Sequence, residues 1–305
     1  MEHVEDGPLD KRAAGGLPAG VAPQTSGAGA VLMQRFGGKL AAMGWTLLSL
    51  ALFAGLWELG WLLGVLNPRL LPPPHIFLRD ITEQSNFFVA QSDPGTPGYV
   101  GVLQTALGST LRVLTGLGLA FVISLSIGVL VSYFRLAGNL VLPTLTALAP
   151  ISVVAWLPVA IFIFGIGNGP AIFMVFIGLF FIMTLGTVSQ IAGVNETYLQ
   201  VARTMGASRR QTFTRVILPA IVPGMFVILR LNLFAAWTVV LIAEAVGVGS
   251  GLGQIVLLAR NTFNPSLVFF TMTIIGIAGY FTDVLLRVVQ QRLLWDTASG
   301  SLGGA

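Results

Sequence analysis

Between Arg135 and Glu196 the chain carries no Asp, Glu, Lys or Arg. A helix rises about 1.5 Å per residue and a bilayer core is about 30 Å thick, so about 20 residues cross it once. The charge-free run is too long for one crossing and too apolar for the outside of a water-soluble domain. Gly165-Ile166-Gly167-Asn168-Gly169-Pro170 supplies turn chemistry that divides it in two. The first half holds Pro143, Pro150 and Pro158, so its helix is expected to be kinked or broken. The second half, about Ala171 to Ile191, reads as an uninterrupted span.

Four more apolar runs flank this pair: about Ala42–Leu66, Leu103–Phe134, Ala220–Ala245 and Ser266–Val289. Asn67-Pro68 ends the first, Pro72-Pro73-Pro74 gives a stiff exit, and His75 to about Phe88 suits a short helix on the membrane surface. Six spans make an all-α integral membrane protein. Composition agrees, since 9% of residues are charged, against about a quarter in soluble domains. Residues 1–40, rich in Gly, Ala and Pro, read as a disordered cytoplasmic tail and not as a cleavable signal peptide. Residues 41–295 form the membrane domain, and 296–305 a short C-terminal tail.

Charge orients the bundle. Lys11, Arg12, Arg35, Lys39, Arg135, Arg203, Arg209, Arg210, Arg215, Arg287 and Arg292 fall on one side of a six-span topology. Arg69, Arg79 and Arg260 fall on the other. Basic residues collect in cytoplasmic loops, so both termini are expected in the cytoplasm. The same rule accounts for the net charge of +4 without any nucleic-acid partner. Cysteine is absent and the histidines are His3 and His75, which removes thiolate metal sites, disulfides and the usual catalytic pairs. Gly38-Lys39 is the nearest approach to a phosphate-binding loop and lacks both its first glycine and its hydroxyl. No bound cofactor is expected.

One long polar stretch interrupts this apolar chain: Glu196 to Pro219, ETYLQVARTMGASRRQTFTRVILP. Tyr198, Val201, Ala202 and Met205 share one helical face; Glu196, Gln200 and Arg203 share the other. Gly206 suits a left-handed helix stop, and Ser208 suits the cap of a second helix that runs from Arg209 to Leu218 and meets Pro219. The product is a helix, a glycine elbow and a helix returning to the membrane. Its arginines could serve only as an orientation signal facing lipid headgroups, or they could meet a partner.

Gln200-Val201-Ala202, Gly206 and Val216-Ile217-Leu218-Pro219 resemble the cytoplasmic coupling motif of ATP-binding cassette importer permeases. The family pattern is Glu-Ala-Ala, three residues, Gly, nine residues, Ile-x-Leu-Pro. Ala202, Gly206, Leu218 and Pro219 match it, whereas Gln200, Val201 and Val216 depart. Further similarity lies in Leu70–Pro74, Ser109-Thr110-Leu111-Arg112, Pro150–Pro158, Phe164–Gly167, Leu229-Arg230-Leu231, Ala243-Glu244 and Gly251-Leu252-Gly253. Together they resemble permeases of the nitrate, sulfonate, taurine and bicarbonate class. That resemblance implies the six-helix fold of type I importer permeases (MetI-like), a homodimer in the bacterial inner membrane, and an extracytoplasmic substrate-binding protein. It also implies a cytoplasmic ATPase dimer that holds the ATP and Mg. By the same resemblance Glu196, Gln200, Val201, Ala202, Arg203, Gly206, Arg209, Arg210, Leu218 and Pro219 would meet the ATPase and drive alternating access.

Charges within spans are costly and are usually paired or turned toward a cavity. Arg112 and Arg230 could draw an anion along the path, or pair structurally with Glu244 or Glu58. Asp283 and Arg287, four apart, suit a local helix pair. Pro150, Trp156 and Pro158 either wall the pathway or shape a packed helix. Three rivals remain at this point. An ion-coupled secondary transporter would need an acid relay, a membrane enzyme would need a catalytic pair, and a scaffold would carry no solute.

Overall fold

A computed structural model describes residues 28–89, 95 and 97–300, and the side chains of 44–89, 95 and 97–292. Those residues are helical wherever they are regular. Residues up to Leu59 form one compact unit and residues from Gly60 another.

The first unit consists, as described, of most of helix α1 (Ala28–Leu62). Gly44–Leu62 is long and apolar enough to cross a bilayer. The helix begins at Ala28, so residues 28–40, expected within the tail, are helical instead. Residues 1–27 lie outside the described residues.

The second unit opens with two short helices, α2 (Pro74–Arg79) and α3 (Ile81–Val89), parted at Asp80 where one surface helix was expected. Helix α4 (Gly98–Tyr133) is followed by α5 (Arg135–Leu148) and α6 (Leu157–Phe164). Helix α7 (Asn168–Ala192) is the uninterrupted span. Then come α8 (Glu196–Thr204), α9 (Arg209–Thr212), α10 (Leu218–Ala243), α11 (Leu252–Asn261) and α12 (Pro265–Gly300). Five helical segments are long and apolar enough to span, or six if the bent pair α5 and α6 counts as one. Helix α11 was not expected, and α12 reaches into the C-terminal tail.

The bend between α5 and the segment after it is 99°. Pro143 lies inside α5 without ending it, whereas the helix gives out at Ala149-Pro150. A proline there donates no amide hydrogen, and a single 3-10 turn, Val153–Trp156, restarts the helix in a new direction. Gly165 at φ +73° and Gly167 at φ +141° then reverse the chain into α7, conformations that favour a residue without a Cβ.

Helices α4, α7 and α10 form the centre. The buried face of α4 carries a stripe of small residues four positions apart, Gly101, Thr105 and Ser109 and then Gly116, Ala120, Ser124 and Gly128, with Arg112 and Val113 between the two runs. Lipid provides little hydrophobic drive for helix pairing, so association rests on close backbone approach and interhelical hydrogen bonds. A Cβ on Gly116 would lie 2.6 Å from the Val175 Cβ, and one on Gly128 2.6 Å from the Thr187 Cβ. Between them, Ser124 Oγ donates to the Phe180 carbonyl across the interface at 3.0 Å. The stripe is the reason α4 and α7 pack so closely.

Candidate functional site

Polar residues gather in three places in this scaffold. The first is the elbow at one end of the bundle. Asn195 opens α8, its side chain accepting from the Thr197 amide at 2.9 Å. Gly206 closes the helix at φ +74°. Its amide donates to the Arg203 carbonyl and the Ala207 amide to the Ala202 carbonyl, both at 3.0 Å. Those two bonds make a Schellman motif, which satisfies carbonyls that a helix end leaves open. Ser208 then opens α9 with a capping box: its amide donates to Gln211 Oε1 at 2.8 Å and its Oγ accepts from the Gln211 amide at 3.3 Å.

Beyond α9 the chain differs from its expected course. Phe213–Ile217 is a π-helical turn, and it runs without a stop into α10, with Pro219 in the first turn of that helix. Pro219 therefore does not end the second helix. A proline's missing N–H already interrupts the hydrogen-bond ladder at that point, and the wider turn before it absorbs the mismatch.

On α8 the apolar face is turned outward. Ala202 is buried, but Tyr198, Val201 and Met205 are 59%, 52% and 81% exposed. Arg203, Arg209, Arg210 and Arg215 are exposed as well, and none of them forms a salt bridge among the described residues. A short, doubly capped helix thus presents an apolar patch and a ring of free cations.

The second place is buried. Glu244, fully enclosed, accepts from Arg112 Nη1 through Oε1 at 2.6 Å and from the Gly253 amide through Oε2 at 3.0 Å. Arg112 Nε donates to Asn168 Oδ1 at 2.8 Å, and Nη2 to Ser250 Oγ at 2.9 Å. Ser109 Oγ accepts from the Leu252 amide at 3.0 Å. One ion pair therefore ties α4, the start of α7, the π-helical turn Glu244–Val248 and the start of α11. Gly251, at φ +111°, has no room for a Cβ against the Glu244 carboxylate, nor has Gly253 against the Leu241 carbonyl.

At the third place Arg230 behaves differently. Its partner is Asp283, at 2.6 Å, while Glu244 is taken by Arg112. Asp283 also accepts from Arg287 at 2.6 Å, the expected pair four apart. This cluster is half open, with the Arg230 and Arg287 side chains 38% and 49% exposed. Of the other path candidates, Trp156 is half-buried against the core, while Pro150 and Pro158 are exposed on the broken segment. Asn168 and Ser250 were missed as partners, since small polar residues beside glycines read as turn chemistry, and Ser109 and Gly253 had entered only through the family resemblance.

A bundle of long apolar helices, with its polar groups gathered at a capped elbow, a buried ion pair and a half-open one, defines a polytopic membrane protein. The family model for the inner membrane component of binding-protein-dependent transport systems matches residues 109–295, and the chain belongs to that family. An ABC transporter permease protein of Brucella melitensis is 31% identical over 84% of this chain and 98% of its own length. The aliphatic sulfonates transport permease protein SsuC of Bacillus subtilis is 28% identical over 82% of this chain and 87% of its own. Also similar, at 24%, 26% and 28% identity, are taurine, nitrate and bicarbonate permeases of Escherichia coli, Leptolyngbya laminosa and Synechococcus elongatus. In fold, an inward-facing MetNI methionine ABC transporter chain superposes with a TM-score of 0.52 over 64% of this chain and 95% of that one, at 20% identity. The chain is thus an ABC transporter permease of MetI-like fold and not an enzyme.

Proposed function

We propose that this chain is the pore-forming subunit of an ATP-driven importer for a small oxyanion or organosulfonate. Two copies would form the pathway in a bacterial inner membrane, with termini in the cytoplasm, and an extracytoplasmic protein would deliver the solute. ATP and Mg would be held by a separate ATPase pair that grips α8. The observation that carries this reading is the outward apolar face of α8, held between the Asn195 cap and the Schellman motif at Gly206. An amphipathic helix in a groove is a general mode of protein recognition, read from anchors at helical spacing. Tyr198, Val201 and Met205 are such anchors. Names of similar permeases support the solute class, as they include sulfonate, taurine, nitrate and bicarbonate. Arg112 is engaged by Glu244 and Arg230 by Asp283, which supports assigning solute choice to the delivering protein.

The absence of cysteine makes the test direct. Met205→Cys should react with a membrane-impermeant maleimide in inside-out vesicles, not in right-side-out ones, and the ATPase subunits should protect it. Labelling from the outer face, or no protection, would overturn the coupling reading.

A further inference from the structure

Next to the elbow lies a groove that includes Arg210, one of the arginines that the family resemblance places toward the ATPase. The last turns of α4 (Val129, Leu130, Tyr133, Phe134) and the residues after the elbow (Arg210, Phe213) line this groove of about 410 Å³. Its walls are hydrocarbon and aromatic, the Tyr133 and Phe213 rings meeting edge to face at 6.3 Å. Its two aliphatic hydroxyls are occupied: Ser126 donates to the Val122 carbonyl and Thr214 to the Arg210 carbonyl. Arg210 remains the one charged group in the lining.

Its charge has no answer within either wall. No Asp or Glu occurs from Val113 to Asn195 or from Thr197 to Ala243, so neither α4 nor the chain from the elbow through α10 supplies a carboxylate. An anionic ligand that reaches the groove therefore meets an exposed guanidinium with no salt-bridge partner among the described residues. The direction of the groove says which kind. From Arg210 its floor runs back along α4 toward Leu130, Val129 and Ser126, and the next exposed residues on that helix are Ile123 and Val122. That is the apolar, charge-free part of the span, which a water-soluble partner does not reach. At the groove's mouth, Tyr133 and Phe134 precede Arg135, the sequence of aromatic and basic residues found at a bilayer's edge.

We propose that the groove binds one anionic phospholipid, its phosphate on the Arg210 guanidinium and an acyl chain along Val129, Leu130 and Phe213. Arginine is suited to this, since its planar fork matches phosphate oxygens in pairs. The neighbouring Arg209 and Arg215 enhance the attraction, as basic residues near a bilayer surface hold anionic lipid. The lipid would brace the π-helical turn against the end of α4. The proposal needs only that this end of the bundle meet the bilayer surface, and it holds whether or not α8 is gripped by an ATPase.

The test is native mass spectrometry of the purified importer complex with phosphatidylglycerol or phosphatidylcholine of identical chains. Phosphatidylglycerol should be retained about fivefold more. Arg210→Gln should abolish that preference, Arg210→Lys should keep most of it, and Val129→Trp should lower retention of phosphatidylglycerol by filling the floor. Glycerol phosphate, which has the headgroup charge without the chains, should not displace the lipid. Equal retention of both lipids, or an Arg210→Gln complex that still prefers phosphatidylglycerol, would overturn the site. So would displacement by glycerol phosphate, or loss of ATPase subunits from Arg210→Gln with lipid retention unchanged, which would give the arginine to a protein interface.

Discussion

Arg112 and Glu244 stand 132 positions apart in the chain and 2.6 Å apart in space. Each neutralises the other away from water, and the remaining Glu244 oxygen is taken by the Gly253 amide. Removing one member of such a pair strands the other charge in a low-dielectric interior, which costs about 3–5 kcal/mol. Glu244→Gln is therefore expected to lower the unfolding temperature in detergent sharply. Replacing both with leucine should recover much of the loss, because two apolar groups leave no orphan charge. A Glu244→Gln protein as stable as the parent would show that the pair is solvated.

Asp283 holds two arginines, but Arg230 and Arg287 keep 38% and 49% of their side-chain surface exposed. Screening by water and lipid headgroups shrinks such pairs to about 1 kcal/mol or less. Asp283→Asn should consequently cost far less thermal stability than Glu244→Gln. The reverse order in a thermal-shift assay would mean that the half-open cluster is the tighter of the two.

Gly116 and Gly118 sit two positions apart on α4 and should respond with opposite sign to alanine. A Cβ at Gly116 lands 2.6 Å from Val175, whereas one at Gly118 meets nothing within 4 Å. Overpacking a helix contact costs about 1–3 kcal/mol, while Gly to Ala at an open helical site gains up to about 1 kcal/mol. Gly116→Ala should lower the melting temperature and Gly118→Ala should hold or raise it. Equal effects would remove the argument from the small-residue stripe.

At Gly206 the constraint is conformational. A Cβ there has open space around it, but the backbone sits at φ +74°, where a residue with a side chain pays about 1–2 kcal/mol. Gly206→Val should leave folding and membrane insertion intact while ATP hydrolysis no longer drives uptake in proteoliposomes. Gly206→Asn, which tolerates that region, should retain part of the coupled transport. Full uptake by the valine variant would count against the elbow as the coupling element.

Local chemistry was the legible part of the sequence. Gly206, Ser208 and Pro150 act on backbone within a few residues of themselves, so the helix stop, the cap and the bend are readable from neighbours along the chain. The spans follow from runs without charge. Partner choice across helices is a different matter, because it depends on how two helices are rotated against each other. Thus Arg112 and Glu244 could be named as candidates, whereas Arg230 meets Asp283 of α12, a residue assigned only to Arg287. The two π-helical turns have no residue-type signature beyond Pro219, and helix α11 hid behind glycines that looked like a simple connection. The start of α1 at Ala28 lay within a stretch whose composition suggested no helix.

The Schellman motif and the capping box close both sides of the Gly206 turn with the chain's own atoms. The bend is held by these local bonds without help from another molecule, so a docking partner need not supply them. Affinity for such a preformed shape is limited by how well the surfaces fit rather than by loop ordering. A displacement of α8 should then reach α10 as the swing of a stiff crank instead of being lost in slack.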